Sequence, residues 1–174
     1  VNPNIRDSNG ELALTRATVS HNIEIVKAII DKCDVNLKEE DCEFTALHRA
    51  VSCDNLDIAE LLIQKGANVD EMGIWGYTPL HEACENACES LVKLLIDSKA
   101  NVNLQAYRGE TPLHVILTSI RRVSRKEGVN IINYLLDAGA DPSIKNKNGL
   151  NPVEETSRNY FGDKDILTRK CDSI

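Results

Sequence analysis

His81, Cys84 and Cys88 form the string H-x2-C-x3-C, and His48, His81 and His114 recur at intervals of 33 residues. Thiol and imidazole side chains this close together are zinc-ligand types, and histidine is the commonest general base. Neither chemistry is completed. No fourth ligand lies near Cys88, no serine stands on a nucleophile elbow, and no glycine-rich loop offers amides to a phosphate. We therefore assign no catalytic, metal-binding or cofactor-binding residue and expect no cofactor. Histidines that recur in register with helix starts are expected to share one structural task, bridging backbone and hydroxyl groups of neighbouring turns.

Residues suited to binding are better represented. The stretch DEMGIWGY (70–77) gathers Met72, Ile74, Trp75 and Tyr77 where corresponding segments carry Lys, Glu, Cys or Arg. One interval later Tyr107 takes the place of Ile74, followed by Arg108. Apolar side chains on an exposed tip mark contact sites; in the bland alternative Trp75 packs back on a neighbouring finger. Glu82 and Glu85 lie one turn apart on one helix face, near Trp75. The run KEEDCE (38–43) places four acids in six residues, as a solvated turn or as a landing site for a basic partner. In TSIRRVSRKEGVN (118–130) four cations fall within six positions, and Arg121 to Ser124 match the R-R-x-S spacing of basophilic kinase sites, which makes Ser124 a candidate phosphorylation site.

What positions these residues is a repeat. FTALHRAV (44–51), YTPLHEAC (77–84) and ETPLHVIL (110–117) hold Leu47, Leu80 and Leu113 at a spacing of 33; a looser copy, ELALTRAT, places Leu14 one interval earlier. The next interval, to Val153 in LNPVEETS, is 40, so seven residues have been added. Thr78 and Thr111 read as helix N-caps, with Pro79 and Pro112 in the first turn, and Asn151 with Pro152 repeats the device. Apolar stripes such as Ile58, Leu61, Leu62 and Ile131, Ile132, Leu135, Leu136 predict a second helix in each unit. Gly66 and Gly139 end second helices, and Gly10, Gly76, Gly109 and Gly149 turn the chain before the next signature. Cys33 and Lys99 stand where such an ending glycine is expected, predicting strain or an altered cap.

The period and the T-P-L-H-x-A signature resemble the ankyrin repeat over essentially the whole chain. The resemblance implies an all-α solenoid of paired antiparallel helices with short β-hairpin fingers. The units fall at about 2–35, 36–68, 69–101, 102–141 (with the insertion) and 142–174 (a cap with a short second helix near Asp163 to Arg169), in a single domain 1–174. It implies a non-catalytic protein–protein interaction module, an adaptor or scaffold. Binding is expected at Met72, Ile74, Trp75, Tyr77, Glu82, Glu85, Tyr107 and Arg108, on fingers two and three and on the concave helix face, where Arg49, Ser52, Cys53 and Asn86 also project. Two narrower roles stand beside this one. YTPLHEAC is similar to the matching stretch of ankyrin modules that read histone tails, where an acid at the place of Glu82 holds a lysine. The asparagine expected at the place of Glu85 is absent, and the aromatic is Tyr77 rather than Trp. The other role is inhibition of a transcription factor, similar to the inhibitor-of-kappa-B proteins.

Charge narrows the partners. Residues 1–117 carry 19 acids against 10 bases, whereas 118–174 carry 8 against 10. The acidic first part argues against direct nucleic-acid binding, which needs clustered cations, and favours a basic or neutral protein partner at the fingers. No apolar run reaches the roughly 18 residues a membrane helix requires, and no signal peptide is legible. Six irregularly spaced cysteines read as reduced thiols, so the cytoplasm or nucleus is expected. Residues 2–10 align with the finger at 141–149, so an upstream segment, such as a further repeat, is expected ahead of Asn2. The added seven residues have two readings: the first helix of the fourth unit lengthens, with Ile116, Ile120 and Val123 extending its stripe and Gly128 stopping it, or the insertion loops out.

Overall fold

A computed structural model of the protein describes residues 2–119 and 125–159. The helices come in pairs: α1 (Ala13–Val19) with α2 (Ile23–Ile30), α3 (Ala46–Ser52) with α4 (Leu56–Gln64), α5 (Pro79–Glu85) with α6 (Glu89–Asp97), and α7 (Pro112–Ser119) with α8 (Arg125–Asp137), followed by α9 (Pro152–Asn159). The first helices pack in one row (α1, α3, α5, α7, α9) and the second helices in another (α2, α4, α6, α8). Between the rows runs one apolar core, in which Leu47, Ile58, Leu62, Leu80, Leu91, Leu95, Leu113, Ile131 and Leu135 are fully buried. Each unit thus hides its stripes against its neighbours rather than within itself, as a solenoid does.

Local sequence sets the helix ends. The Thr45 and Thr78 hydroxyls accept from the amides of His48 and His81, and Asn151 and Glu154 exchange bonds between side chain and backbone N–H at 2.9 Å. Each of the first three helix pairs turns through a left-handed residue, His21, Asp54 and Ala87, at φ of 54°, 51° and 52°. The second helix then begins under an asparagine cap at Asn22 and Asn55. Gly66 and Gly139 end their helices at φ of 90° and 91°. The two substituted positions behave differently. Lys99 keeps the left-handed backbone at φ 70°, whereas Cys33 does not adopt it and the chain leaves α2 by another route.

Two expectations are corrected. The fingers are tight turns without a strand ladder: each is closed by an N–H to O=C bond four residues on, Glu39 to Phe44 excepted at five, and four of the five add a turn bond such as Gly76 N–H to Gly73 O. Examples are Gly73 to Tyr77 and Ala106 to Glu110, both at 2.8 Å. The bridge from Arg6 to Leu12 is the one strand-type pairing among the described residues. The arms are too short, and the left-handed turn residues too close, for a ladder to extend. The second correction concerns the insertion. α7 is described as far as Ser119, and Gly128 lies buried inside α8 rather than stopping the helix before it. α8 has 13 residues where α6 has nine, so the second helix gains about one turn at its start. The roughly 1 kcal/mol helix cost of glycine is offset by the stripe that follows it. The Asn130 amide and the Tyr134 hydroxyl donate to the Glu89 carboxylate, both at 3.1 Å, holding α8 to α6. Ile120, Ser124 and its flanking Arg121, Arg122 and Val123, the cap helix near 163–169 and Cys171 lie outside the described residues.

Candidate partner-binding groove

The three histidines are clamps between units. Their Nδ1 atoms accept the backbone N–H of Thr45, Thr78 and Thr111 at 3.1–3.2 Å, which leaves the proton on Nε2. Nε2 of His48, His81 and His114 then donates to the carbonyl oxygens of Tyr77, Glu110 and Leu150, each in the following unit, at 3.1, 3.1 and 3.2 Å. Burial strips water from the rings and pushes His48 and His81 down to about 4, and His114 in the same direction. His81 therefore has no free ring nitrogen for a metal. Cys84 is sealed in the core, its thiol driven up by burial, and burial with a bond to Asp54 pushes Cys88 up to about 12.

Finger one is also structural in part. Glu39 is 5% exposed and takes two bonds from the Arg49 guanidinium, at 2.9 and 2.5 Å, and one from the Cys42 thiol at 3.0 Å. Burial would raise this carboxyl, but the bonds from Arg49, Cys42 and Thr15 outweigh it and hold the group low. Arg49 also lies 5.3 Å above the Phe44 ring. Glu40, Asp41 and Glu43 remain exposed.

Fingers two and three and α5 enclose an open groove of about 610 Å³, lined by Ile74, Trp75, Tyr77, Glu82, Glu85, Arg108 and Glu110. Trp75 is 67% exposed, so it does not fold back into local packing. Its backbone is left-handed, at φ 62°, immediately before Gly76 at φ 73°. An aromatic residue in that region is strained, and strain of this kind gathers where a side chain must be presented. Tyr77 forms the floor, stacked on His81 with ring centroids 5.3 Å apart. Burial, then the charges of Glu110 and Glu85, push its phenol up.

Three carboxylates face one guanidinium here. Burial raises Glu82 against the lowering bond from Ser52, whose hydroxyl donates at 2.5 Å, and Glu85 raises it further. Burial likewise raises Glu110, with Arg108 lowering it and Glu155 and Glu85 raising it. The matching hollow between the first two units, about 230 Å³, is different: its Arg16 and Arg49 are each paired with a glutamate, at 2.7 and 2.5 Å.

Of the residues expected to bind, the structure brings Ile74, Trp75, Tyr77, Glu82, Glu85 and Arg108 to this one groove. Met72 sits apart, half-buried, its carbonyl accepting from Lys38 Nζ at 2.8 Å. Tyr107 is 55% exposed and lies over Gly76 beside the groove. Glu110 was missed, although it stands one interval after Tyr77 and the repeat register alone points to it.

Comparison with known proteins agrees with this architecture. The profile described as "Ankyrin repeats (3 copies)" matches residues 1–72 and 68–146. Alpha-latrocrustotoxin-Lt1a of Latrodectus tredecimguttatus is 39% identical over 66 residues, a stretch that covers 37% of this chain and 5% of that toxin. Among the described residues no helix is long and apolar enough to cross a membrane.

Proposed function

This chain belongs to the ankyrin-repeat family, and we propose that it is a non-catalytic module that holds a basic segment of a protein partner in the groove of fingers two and three. Ankyrin repeats are protein–protein interaction modules, which supports the class of function. The groove carries the finer reading. An exposed, backbone-strained indole beside three carboxylates and one guanidinium offers both an aromatic face for the stem or charge of a Lys or Arg side chain and anions for its head. Glu82 and Glu110, raised by burial, gain most from an arriving cation. The small, acidic shape fits an extended basic peptide better than a broad folded surface, so of the narrower roles it favours the basic-peptide reader. Free thiols at all five described cysteines support a reducing compartment, cytoplasm or nucleus.

Trp75 is the single tryptophan and therefore a built-in probe. Selection from a displayed random-peptide library should enrich Lys- and Arg-bearing sequences whose binding changes Trp75 fluorescence. Trp75→Ala should weaken them by about 2 kcal/mol with helicity unchanged. Enrichment without basic residues would remove the cationic reading, and full affinity in folded Trp75→Ala would remove the groove.

A further inference from the structure

The guanidinium that shares the groove with the carboxylates is uncommitted. Arg6, Arg16 and Arg49 each rest on an oxygen of the chain: the Lys38 carbonyl at 2.7 Å, the Glu11 carboxylate at 2.7 Å and the Glu39 carboxylate at 2.5 Å. The exposed Arg108 head makes no hydrogen bond or ion pair among the described residues. Carboxylates are nevertheless close: burial raises Glu110, Glu155 and the Tyr77 phenol, and the charge of Arg108 acts against that rise at all three. Glu155 offers Arg108 nothing at the surface, because the residue is 9% exposed and its unpartnered Oε2 is sealed from solvent. The base of the Arg108 side chain, by contrast, is fixed. Arg108 O accepts from Lys147 N–H at 2.9 Å, and a Cβ at the adjoining Gly109 would lie 2.8 Å from that same nitrogen. Gln105 Nε2 donates to Gly109 O at 2.8 Å and to Lys145 O at 3.0 Å, bracing the turn against finger four. A cation on a braced turn, its head unpaired, can receive an anion at little ordering cost.

We propose that the segment held in this groove carries an acidic side chain, Asp or Glu, beside its basic residue, and that Arg108 selects it. This rests on the reading of the groove as the site of a basic segment. Charge complementarity sets the occupant. Glu82 and Glu85 on α5 and Glu110 at the base of finger three line the groove together with one guanidinium near the tip of that finger. A segment with basic residues alone would satisfy the carboxylates and press like charge on Arg108, whereas neighbouring opposite charges satisfy both. A groove of about 610 Å³ spans about three residues of extended chain at ~3.3 Å each, so acid and base fall within that distance of one another. Finger one lies before the groove and finger four beyond it, so an extended segment runs on past both ends and the anion is a side chain rather than a chain end. Trp75 and the carboxylates choose the cation; Arg108 chooses what stands next to it.

The test takes Lys- or Arg-bearing peptides selected against the full chain and reads their affinity by Trp75 fluorescence. Asp or Glu should be enriched within about three residues of the base, and replacing that acid with its amide should weaken binding about fivefold. Arg108→Gln should cause the same loss, and the two changes together should lose no more than either alone. For a peptide whose acid is replaced by Lys the sign reverses: Arg108→Gln should bind it more tightly than the parent does, and Arg108→Glu more tightly still. A merely structural role for Arg108 would weaken every peptide alike. Arg108→Lys keeps the charge and should retain most of the affinity, which guards against a fold lost in the other variants. Basic peptides with no excess of acids, or additive losses in the double change, would overturn this inference and leave the cationic reading of the groove standing. Binding lost on amidation of the peptide's C-terminus would also overturn it, since the anion would then be a chain end. Selected peptides without Lys or Arg would overturn both.

Discussion

The backbone N–H of Tyr107 donates to the carbonyl oxygen of Trp75 at 2.9 Å, so finger three is tied to finger two at the residue that presents the exposed indole. The same link recurs in register. Ile74 N–H donates to Cys42 O at 3.1 Å, and Lys147 N–H to Arg108 O at 2.9 Å. The fingers therefore form a backbone-linked row, and a change at one tip is felt at the next.

Gly76 is where this coupling is tightest. A Cβ there would lie 2.6 Å from the Tyr107 ring and 2.8 Å from its backbone nitrogen, at a φ of +73°. Gly66 has a similar φ, +90°, but nothing within 4 Å. Gly66→Ala should cost only the left-handed penalty, about 1 kcal/mol. Gly76→Ala should cost clearly more, about 2–3 kcal/mol, and weaken the groove ligand as Tyr107 is displaced. Urea unfolding of the two variants compares them directly, and equal costs would show that Tyr107 yields freely.

Trp75 allows stability and binding to be separated. Glycine relieves its left-handed backbone, so Trp75→Gly should leave stability unchanged or raise it by up to about 1 kcal/mol. Its loss of ligand affinity should match that of Trp75→Ala. A large loss of stability in Trp75→Gly would show instead that the indole holds the fold.

The fold was legible because each unit repeats the same physical solution. Spacing of Leu47, Leu80 and Leu113 located the first helices, and the Thr and Pro before them located the caps. Most of the groove was legible for a related reason: Trp75 and Tyr77 break the polar character of the finger column. What sequence left hidden was set by partners far along the chain. Glu39 reads as one more acid in KEEDCE until Arg49, ten residues later, is seen to cover it. Gly128 reads as a stop because a glycine carries no record of whether the helix around it is supported by packing.

Lys99 and Cys33 occupy one register but answer it differently, which gives a paired prediction. Lys99 holds φ 70° where glycine relatives hold 90° and 91°. Lys99→Gly should stabilise the protein by about 0.5–1 kcal/mol by removing side-chain strain at a helix end. Cys33→Gly should give no such gain, since Cys33 is not left-handed. Thermal unfolding midpoints decide, and a gain at both positions would mean that the backbone at Cys33 also suffers strain.

The buried histidines predict an acid-sensitive fold. His48 and His81 sit at about 4 in the folded state against about 6.5 unfolded. Between those values the unfolded chain binds more protons, so stability is full above about pH 6.5 and falls as pH drops toward 4, by roughly 3 kcal/mol per ring. Glu82, Glu110 and Glu155 work in the opposite sense, because their raised folded values favour the folded state as pH falls. His81→Ala isolates one contribution. At pH 7 it should cost about 1–3 kcal/mol by stranding the Glu110 carbonyl and the Thr78 N–H. Its stability should also fall less steeply with acid than the parent's. An unchanged slope would show that His81 is not buried neutral.

Ligand affinity should carry its own pH signature, set by the groove rather than by the fold. A Lys or Arg side chain interacts with ionised carboxylates, and the free protein holds Glu82 and Glu110 above the ordinary carboxylate range. Binding a cation therefore favours their ionised form and opposes their protonation. Affinity for a selected basic peptide should be constant near neutrality and begin to weaken at a higher pH than an exposed glutamate would produce. Glu82→Gln should lower affinity at neutral pH by about 1–2 kcal/mol and flatten the profile, since one titrating partner is gone. Raising salt should weaken the parent more than this variant. Glu24→Gln, remote from the groove on α2, should change neither affinity nor profile. Titrations followed by Trp75 fluorescence at several pH values, all above the unfolding range of each variant, read out every arm. A parent profile that stays flat into the acid range would show that Glu82 and Glu110 do not receive the cation, even if the peptide still occupies the groove.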